Sequence, residues 1–178
     1  MPLPTPFYAR TAALCESHRW KEWAGYHAVC SYDTCHEQEY LAFRYGAGLI
    51  DVTPLFKYDV KGADAAKFLS YVTVKNIHKL KPGRMTYCCW CDIEGKVLDD
   101  GTIAHLGDNH FRVTSADPSF AWFATLAADF NVEVKDVTDS LAALSLQGPK
   151  SREVLREALS FDIDALRFFG VEQGTFAG

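Results

Sequence analysis

The chain is expected to fold as an α+β protein, with mostly antiparallel sheets and packed helices, and three stretches carry that expectation. In Phe56-Lys-Tyr-Asp-Val-Lys61 apolar residues fall at every second position with lysine or aspartate between them, the period of a half-buried strand. Arg84 to Cys91 and Lys96 to Leu106 read as two further strands joined by Asp92-Ile-Glu-Gly95, a short connection with a glycine placed for positive φ, hence a hairpin. Helical segments with start and stop signals lie between and after these runs.

In chain order, the opening is irregular, with prolines at 2, 4 and 6, and is followed by a short helix over Tyr8 to His18 and the stretch Trp23-Ala-Gly-Tyr26. A clearer helix comes next. Thr34-x-x-Glu37 has capping-box spacing, Tyr40, Leu41 and Phe43 form an apolar side, and Gly46 or Gly48 ends it in a left-handed conformation. After the alternating strand, Ala63 to Tyr71 is a short helix. A turn at Gly107-Asp-Asn109 leads from the hairpin to a strand at Phe111-Arg-Val-Thr114. Asp117 as N-cap and Pro118 as first helical residue open a helix whose apolar face holds Phe120, Trp122, Phe123 and Leu126. Strands from Val132 to Val137 and from Leu141 to Gln147 follow, and Gly148-Pro149 begins a helix ending near Leu159. A strand, a glycine and a helix recur at Val60-Lys-Gly-Ala63 and Leu146-Gln-Gly-Pro149, a hint of two related halves.

With 178 residues and 48% hydrophobic content the chain can bury one ordinary core. A formal net charge of -5 with scattered lysines and arginines offers no basic stripe to a phosphate backbone, which excludes nucleic acid as a partner. No apolar run reaches bilayer-spanning length and no basic region with a long apolar run opens the chain, so no membrane partner and a cytoplasmic location are expected. Glycine-rich signals are too sparse for a dinucleotide or phosphate loop. No glycine- or serine-rich linker divides the sequence, which reads as one continuous folding region.

Six cysteines raise a different class of function, a structural zinc module, because Cys30, Cys35-His36 and Cys88-x-x-Cys91 can be written as a ligand set. Cys88 and Cys91 lie three apart on a strand, however, and so point to opposite faces. Small buried thiols in a reducing compartment account for them better, and no metal ligand is assigned. His36, His105 and His110 are scattered and read as packed or exposed side chains rather than catalysts.

Asp99 and Asp100 are strand neighbours and face opposite ways, so only one projects into a given site. Asp100 is expected to share its face with Leu98, Thr102, Ala104 and Leu106, and Asp99 with Val97, Gly101, Ile103 and His105. A carboxylate on the small, mainly apolar Asp100 face is partly desolvated and bonds strongly to a ligand nitrogen. Spacing alone favours a local role, since a turn-proximal aspartate usually bonds nearby backbone, and Tyr87 reads first as a packed aromatic.

Taken in order, Gly48-Leu-Ile-Asp-Val-Thr53, Val60-Lys-Gly-Ala-Asp-Ala65, Gly83-Arg-Met-Thr-Tyr87, Gly95-Lys-Val-Leu-Asp-Asp100, Trp122, Val132-Glu-Val-Lys-Asp-Val-Thr138 and Gln147-Gly-Pro-Lys150 resemble the folate-binding core of the glycine-cleavage T-proteins, the aminomethyltransferases. The resemblance covers nearly the whole chain. It implies an N-terminal portion of the T-protein folate-binding region, tetrahydrofolate as cofactor, and one-carbon transfer from a small methyl or aminomethyl donor. It also makes Asp100, the second aspartate of the Gly-x-Val-Ile-Asp-Asp pattern, the catalytic residue that orients the reduced pterin. Tyr87, Leu55, Leu80 and Thr114 are implied to line the folate pocket. A buried carboxylate suits that role, because it accepts a hydrogen bond from the pterin and offsets positive charge as the one-carbon unit moves.

Departures from the family pattern fall on the donor side. Asp51-Val-Thr-Pro-Leu55 stands where the family has Asp-Val-Ser-His-Met, so Pro54 replaces a histidine and offers neither charge nor hydrogen. Gly101 replaces a common leucine, and Val113-Thr-Ser-Ala116 replaces Val-Asn-Ala. These differences weigh against a lipoyl carrier protein as partner. They agree with related tetrahydrofolate-dependent demethylases of sulfonium compounds and aromatic methyl ethers, and with the folate domains of dimethylglycine and sarcosine oxidising enzymes, in which the folate nitrogen takes a methyl group directly. T-proteins are about twice as long, and their later Gly-Tyr-Thr-Gly-Glu motif has no counterpart before Gly178. The expectation is therefore a fragment or short module, with a lead segment over 1–50, a strand-helix-strand unit over 51–139 and the start of a second related unit over 140–178. A noncatalytic folate-binding or scaffold module is the alternative to an enzyme.

Overall fold

A computed structural model describes residues 1–176. Its elements in chain order are β1 (Leu3–Pro4), α1 (Tyr8–Leu14), β2 (Arg19–Trp23), β3 (Tyr26–Ser31), α2 (His36–Tyr45), β4 (Gly48–Asp51), β5 (Phe56–Lys61), α3 (Ala65–Val72), β6 (Arg84–Cys91), β7 (Val97–Gly107), β8 (His110–Ser115), α4 (Phe120–Leu126), β9 (Glu133–Asp136), β10 (Leu144–Gln147) and α5 (Ser151–Ala158). The chain divides into two compact units. Of the described residues, one holds Met1–Pro54, Ala142–Ala165 and 174–176; the other holds Leu55–Leu141 and Leu166–Gln173. The expected lead segment and the expected start of a second unit thus share one unit.

The unit built on residues 55–141 is an antiparallel five-stranded sheet in the order β6-β7-β8-β5-β9. One face carries Tyr58, Val60, Trp90, Ile103, Phe111 and Val113, covered by Phe68 and Leu69 of α3 and Phe123 of α4. Helix α3 forms there because Ala65, Phe68, Leu69 and Val72 fall at i, i+3, i+4 and i+7, a single apolar stripe. Burying each large side chain contributes roughly 2 kcal/mol. The polar tips of Trp90 and Tyr58 are matched: Trp90 Nε1 donates to Ser119 Oγ at 3.2 Å, and Ser119 N donates to the Tyr58 hydroxyl at 2.9 Å.

Two expectations for this unit change. Strand β5 is buried on both faces, with Lys57 4% and Asp59 7% exposed, because it lies inside the sheet between β8 and β9 and its polar groups are paired. Lys57 Nζ donates to Leu55 O at 2.7 Å, and Asp59 takes Arg112 Nε at 2.7 Å and Nη2 at 3.1 Å. Helix α4 begins at Phe120 behind Ser119, later than an Asp117 cap with Pro118 would place it. Asp117 is engaged elsewhere: its N–H donates to Asp99 Oδ2 at 2.9 Å and its carbonyl accepts from Ser115 Oγ at 3.0 Å.

The other unit contains a three-stranded sheet, β1-β3-β2, and a two-stranded antiparallel sheet of β10 with β4. The β2–β3 hairpin, absent from the sequence reading, turns on Ala24 and Gly25 at φ 47° and 82°, the positive pair that a two-residue hairpin turn requires. Helix α1 stops at Leu14 rather than His18. Thr34 and Glu37 form no capping box at α2; Asp33 Oδ1 accepts from Cys35 N at 2.7 Å, and Glu39 Oε1 from Asp33 N at 2.8 Å. The helix ends at Gly46 with φ -129°, not left-handed.

The recurring strand-glycine-helix pattern proves to be one local device used twice. After β5, Gly62 has φ 136° and an added Cβ would lie 2.4 Å from Asn131 O; after β10, Gly148 has φ 117° and an added Cβ would lie 2.4 Å from Gly46 O. In both, the amide two residues on donates to that same carbonyl, Asp64 N to Asn131 O at 3.2 Å and Lys150 N to Gly46 O at 3.0 Å. Only glycine has both the positive φ and the absent side chain that this approach needs.

Candidate functional site

On the sheet face away from the core, the cross-strand register sets Tyr87 beside Thr102, Thr102 beside Thr114, and Thr114 beside Lys57, while Cys89 lies opposite Asp100. Asp100 is therefore the diagonal neighbour of Tyr87, close enough for an aromatic ring to reach. A shallow depression of about 510 Å³ is lined here by Val74, Lys75, Tyr87, Cys88, Cys89, Val97 and Asp100. Its apolar members stand open to solvent, Tyr87 at 54% and Val74 and Val97 each at 63%.

The two aspartates separate as strand geometry demands. Asp99 faces inward, 8% exposed, and Oδ1 accepts from Asp100 N at 2.7 Å while Oδ2 accepts from Asp117 N. It is a structural clamp between β7 and the turn after β8. Asp100 is half-buried on the outer face, and its carboxylate has no hydrogen-bond or ion-pair partner among the described residues. A half-buried carboxylate left unpaired by the protein is an acceptor available to a ligand.

One detail of the face differs from strict alternation. Asp99 pairs with Trp90 but Val97 pairs with Cys91, so Leu98 is an extra residue, a bulge beside the aspartate pair. The bulge inverts the alternation before it and brings Val97, expected with Asp99, to the Asp100 side. The next glycine is held by a different constraint: a Cβ at Gly101 would lie 1.9 Å from Thr114 O, so the common family leucine does not fit this backbone. Strand β7 approaches β8 closely at the residue after Asp100.

The remaining expected site residues scatter. Thr114 is on the same outer face, two strands from Tyr87. Leu55 is half-buried just before β5 and does not line the depression. Leu80 packs against the core cluster, and its carbonyl lies 2.8 Å from His105 Nδ1, so it is not part of this wall. Pro54 is fully buried. Lys75, Val74, Cys89 and Val97 join the site without having been singled out by the sequence. For Cys89 the signal was its place opposite Asp100 in the hairpin register; for Val97, displaced by the bulge, and for Lys75, in a loop, there was none.

Elsewhere on this face Asp59 meets Arg112, and His110 Nε2 lies 2.9 Å from Asp59 Oδ2, near enough for attraction but off the hydrogen-bond line. Burial disfavours the charged Asp59, but the Arg112 hydrogen bonds and charge, with His110, outweigh it and hold the carboxyl below the usual carboxylate range. His105 stacks on Phe111 with centroids 4.1 Å apart. Burial pushes the Cys88 thiol up, which keeps it protonated and inert. Among the described residues all six cysteines are free, and no group of three or more His, Cys, Asp or Glu side chains is arranged to hold a metal. No helix among the described residues is long and apolar enough to cross a membrane. The first unit contains its own mainly apolar cavity of about 390 Å³, walled by Trp23, Val29, Phe43, Leu49 and Ile50.

Known proteins resemble this chain closely. The family model described as GCVT N-terminal domain matches residues 7–178. An aminomethyltransferase of Streptomyces coelicolor is 32% identical over 178 residues, covering 95% of this chain and 48% of the relative. One of Staphylococcus haemolyticus is 31% identical over 144 residues, covering 79% of this chain and 40% of the relative. The chain thus spans about half the length, or less, of the curated relatives it matches. The crystal structure of the glycine cleavage system aminomethyltransferase T from Bartonella henselae superposes with a TM-score of 0.85 at 25% identity, over 96% of this chain and 47% of that one. A heterotetrameric sarcosine oxidase from Corynebacterium sp. U-96 shares the fold alone, with a TM-score of 0.54 at 16% identity over 89% of this chain and 68% of that one. The ordered motifs, the antiparallel α+β architecture and the near end-to-end family match agree: the chain belongs to the glycine-cleavage T-protein family and carries its GCVT N-terminal domain.

Proposed function

We propose that this chain supplies a folate-facing wall of a tetrahydrofolate-dependent one-carbon transferase that draws on a methylated or aminomethyl small molecule. The observation that carries the reading is Asp100, a half-buried carboxylate without a protein partner, set among the open side chains of Tyr87, Val74 and Val97 in an aminomethyltransferase relative. Bound tetrahydrofolate supplies the nitrogen that takes up the one-carbon unit. Asp100 accepts a hydrogen bond from a ring N–H of the pterin and offsets the positive charge that grows at the reacting nitrogen. Such preorganised groups are worth roughly a hundredfold or more in rate. Tyr87 gives the flat pterin an aromatic flank, and Val74 and Val97 exclude water from one side of it, which strengthens the Asp100 bond.

Donor recognition departs from the family at Pro54, whose ring is buried and has nothing to donate. This supports direct transfer of a methyl group from a small donor over delivery on a lipoyl carrier protein.

Anaerobic titration with tetrahydrofolate, followed by tryptophan fluorescence, tests the reading with Asp100→Asn alongside. Saturable binding weakened about tenfold or more by the substitution is expected, the scale of a lost charge-assisted hydrogen bond. Equal binding by the variant sinks the role of Asp100. No binding, either by this chain or by one extended to the length of its relatives, sinks the folate itself. Binding by the extended chain without turnover of methylated amines, ethers or sulfonium compounds selects the noncatalytic folate module instead.

A further inference from the structure

Among the residues that line the Asp100 depression, Lys75 brings a cation that the proposed function does not use. Its loop is held from several sides. Thr73 Oγ1 donates to Leu69 O at 2.7 Å at the end of α3, and Lys75 N reaches back to Thr73 Oγ1 at 3.4 Å. Val74 N donates to Cys89 O at 3.1 Å, and Cys89 is the residue directly across from Asp100. Ile77 N donates to Ser70 Oγ at 2.8 Å on the far side of the loop. The main chain that carries Lys75 is thereby tied to the strand pair that carries Asp100.

The ammonium is close enough to β6 for its charge to favour the thiolate of Cys88, yet it makes no ion pair within 4 Å with any described carboxylate, Asp100 included. Two opposite charges line one open depression, and neither is neutralised by the protein. That arrangement fits a ligand with an N–H-bearing ring at one point and an anion at another. We infer that Lys75 is a specificity-determining residue of this site, receiving a carboxylate of the bound ligand. The inference rests on the folate reading above. The carboxylate belongs either to the glutamyl tail of the folate or to the one-carbon donor, and the two sources separate by experiment.

The test compares tetrahydrofolate with 6-methyltetrahydropterin, which has the reduced ring without any carboxylate, on the unsubstituted protein, Lys75→Met, Lys75→Arg and Asp100→Asn. Lys75→Met should weaken tetrahydrofolate about fivefold, the upper range for a solvent-exposed ion pair, and leave 6-methyltetrahydropterin unchanged. Lys75→Arg should restore the tetrahydrofolate affinity, and the Lys75→Met deficit should shrink in high salt. Asp100→Asn should weaken both pteridines alike, which separates ring recognition from tail recognition. If Lys75→Met spares tetrahydrofolate but weakens binding of dimethylglycine to the folate-saturated protein, the carboxylate is the donor's and the inference stands. If Lys75→Met changes none of these affinities, or weakens both pteridines equally, the inference falls while the folate reading survives. If the unsubstituted protein binds no tetrahydrofolate, the folate reading falls first and takes this with it.

Discussion

The two compact units follow the same turn logic and differ in what they bury. In residues 55–141 Tyr58, Phe68, Leu69, Trp90, Ile103, Phe111, Val113 and Phe123 are sealed in one cluster. Among the described residues of the other unit the buried apolar ones are Cys15, Pro54 and Ile163, while Leu3, Leu14, Tyr40, Tyr45, Leu49, Ile50, Leu144 and Val154 are exposed, and α1, α2 and α5 have no buried residue. Yet Gly62 and Gly148 perform the same strand-to-helix turn in each. Local turn chemistry therefore sets the path of the chain in both, whereas the apolar burial that drives stability is concentrated in one. The unit with its own core is also the unit that carries Asp100, Tyr87 and Lys75. Precise placement of side chains on a sheet needs a rigid layer beneath it.

The contrast breaks most visibly at Trp90. Trp90→Ala should cost about 4 kcal/mol, because it opens a cavity beside Phe123, whose ring centroid is 5.3 Å away, and leaves Ser119 Oγ without its indole donor. Urea denaturation measures this directly. A cost below about 1 kcal/mol would mean that stability does not reside in this core.

Arg112→Leu is next, at about 3 kcal/mol, because Asp59 would remain buried without its main counter-charge. The pair also fixes a pH dependence. Asp59 has a depressed pKa in the folded chain, so its contribution is present above the unfolded carboxylate value near about 4 and is lost as pH falls through the lower folded value. The unsubstituted protein should lose stability below about pH 4, and Arg112→Leu should flatten that decline. Parallel acid melts of the two proteins would show it; identical acid limbs would mean that Asp59 is not the group responsible.

Gly101→Ala should cost about 2 kcal/mol, since the new Cβ meets Thr114 O and one of the two strands must shift. It should also weaken tetrahydrofolate binding, because Asp100 is the adjacent residue on the moving strand. Unchanged binding in a destabilised variant would show that the site tolerates movement of β7.

What the sequence made legible follows the same division for most strands, although β10 and the helices α2 and α5 of the other unit were also read from their turn and cap signals. Alternation and turn glycines placed β5, the β6–β7 hairpin, β8 and β9 correctly, because these strands seal a core and their apolar residues must repeat with the pleat. The β2–β3 hairpin escaped notice because Arg19–Trp23 and Tyr26–Ser31 seal no core and show no clean alternation. Trp20 of β2 instead packs tilted against His27 of β3 at 4.5 Å and Tyr8 of α1 at 5.3 Å between ring centroids. Asp100 was legible from its motif, and its orientation from strand parity. Val97 was not, because the bulge at Leu98 reverses parity. Nor was Lys75, because hydrogen bonds to α3 and β6 place its loop and leave no periodic trace.

The smallest expected effect sharpens the comparison from the other side. Leu49 is an apolar strand residue like Val113, paired across β4 and β10 with Leu146, but more than half of it is exposed. Leu49→Ala should therefore change stability by no more than about 0.5 kcal/mol, against the 2 to 5 kcal/mol typical of a buried leucine. The two outcomes lie far enough apart for one urea titration to separate them. A small change would establish that β4 is held by its backbone pairing with β10. A cost above about 2 kcal/mol would mean that Leu49 is covered in solution, and its dependence on protein concentration would then tell whether a second copy does the covering.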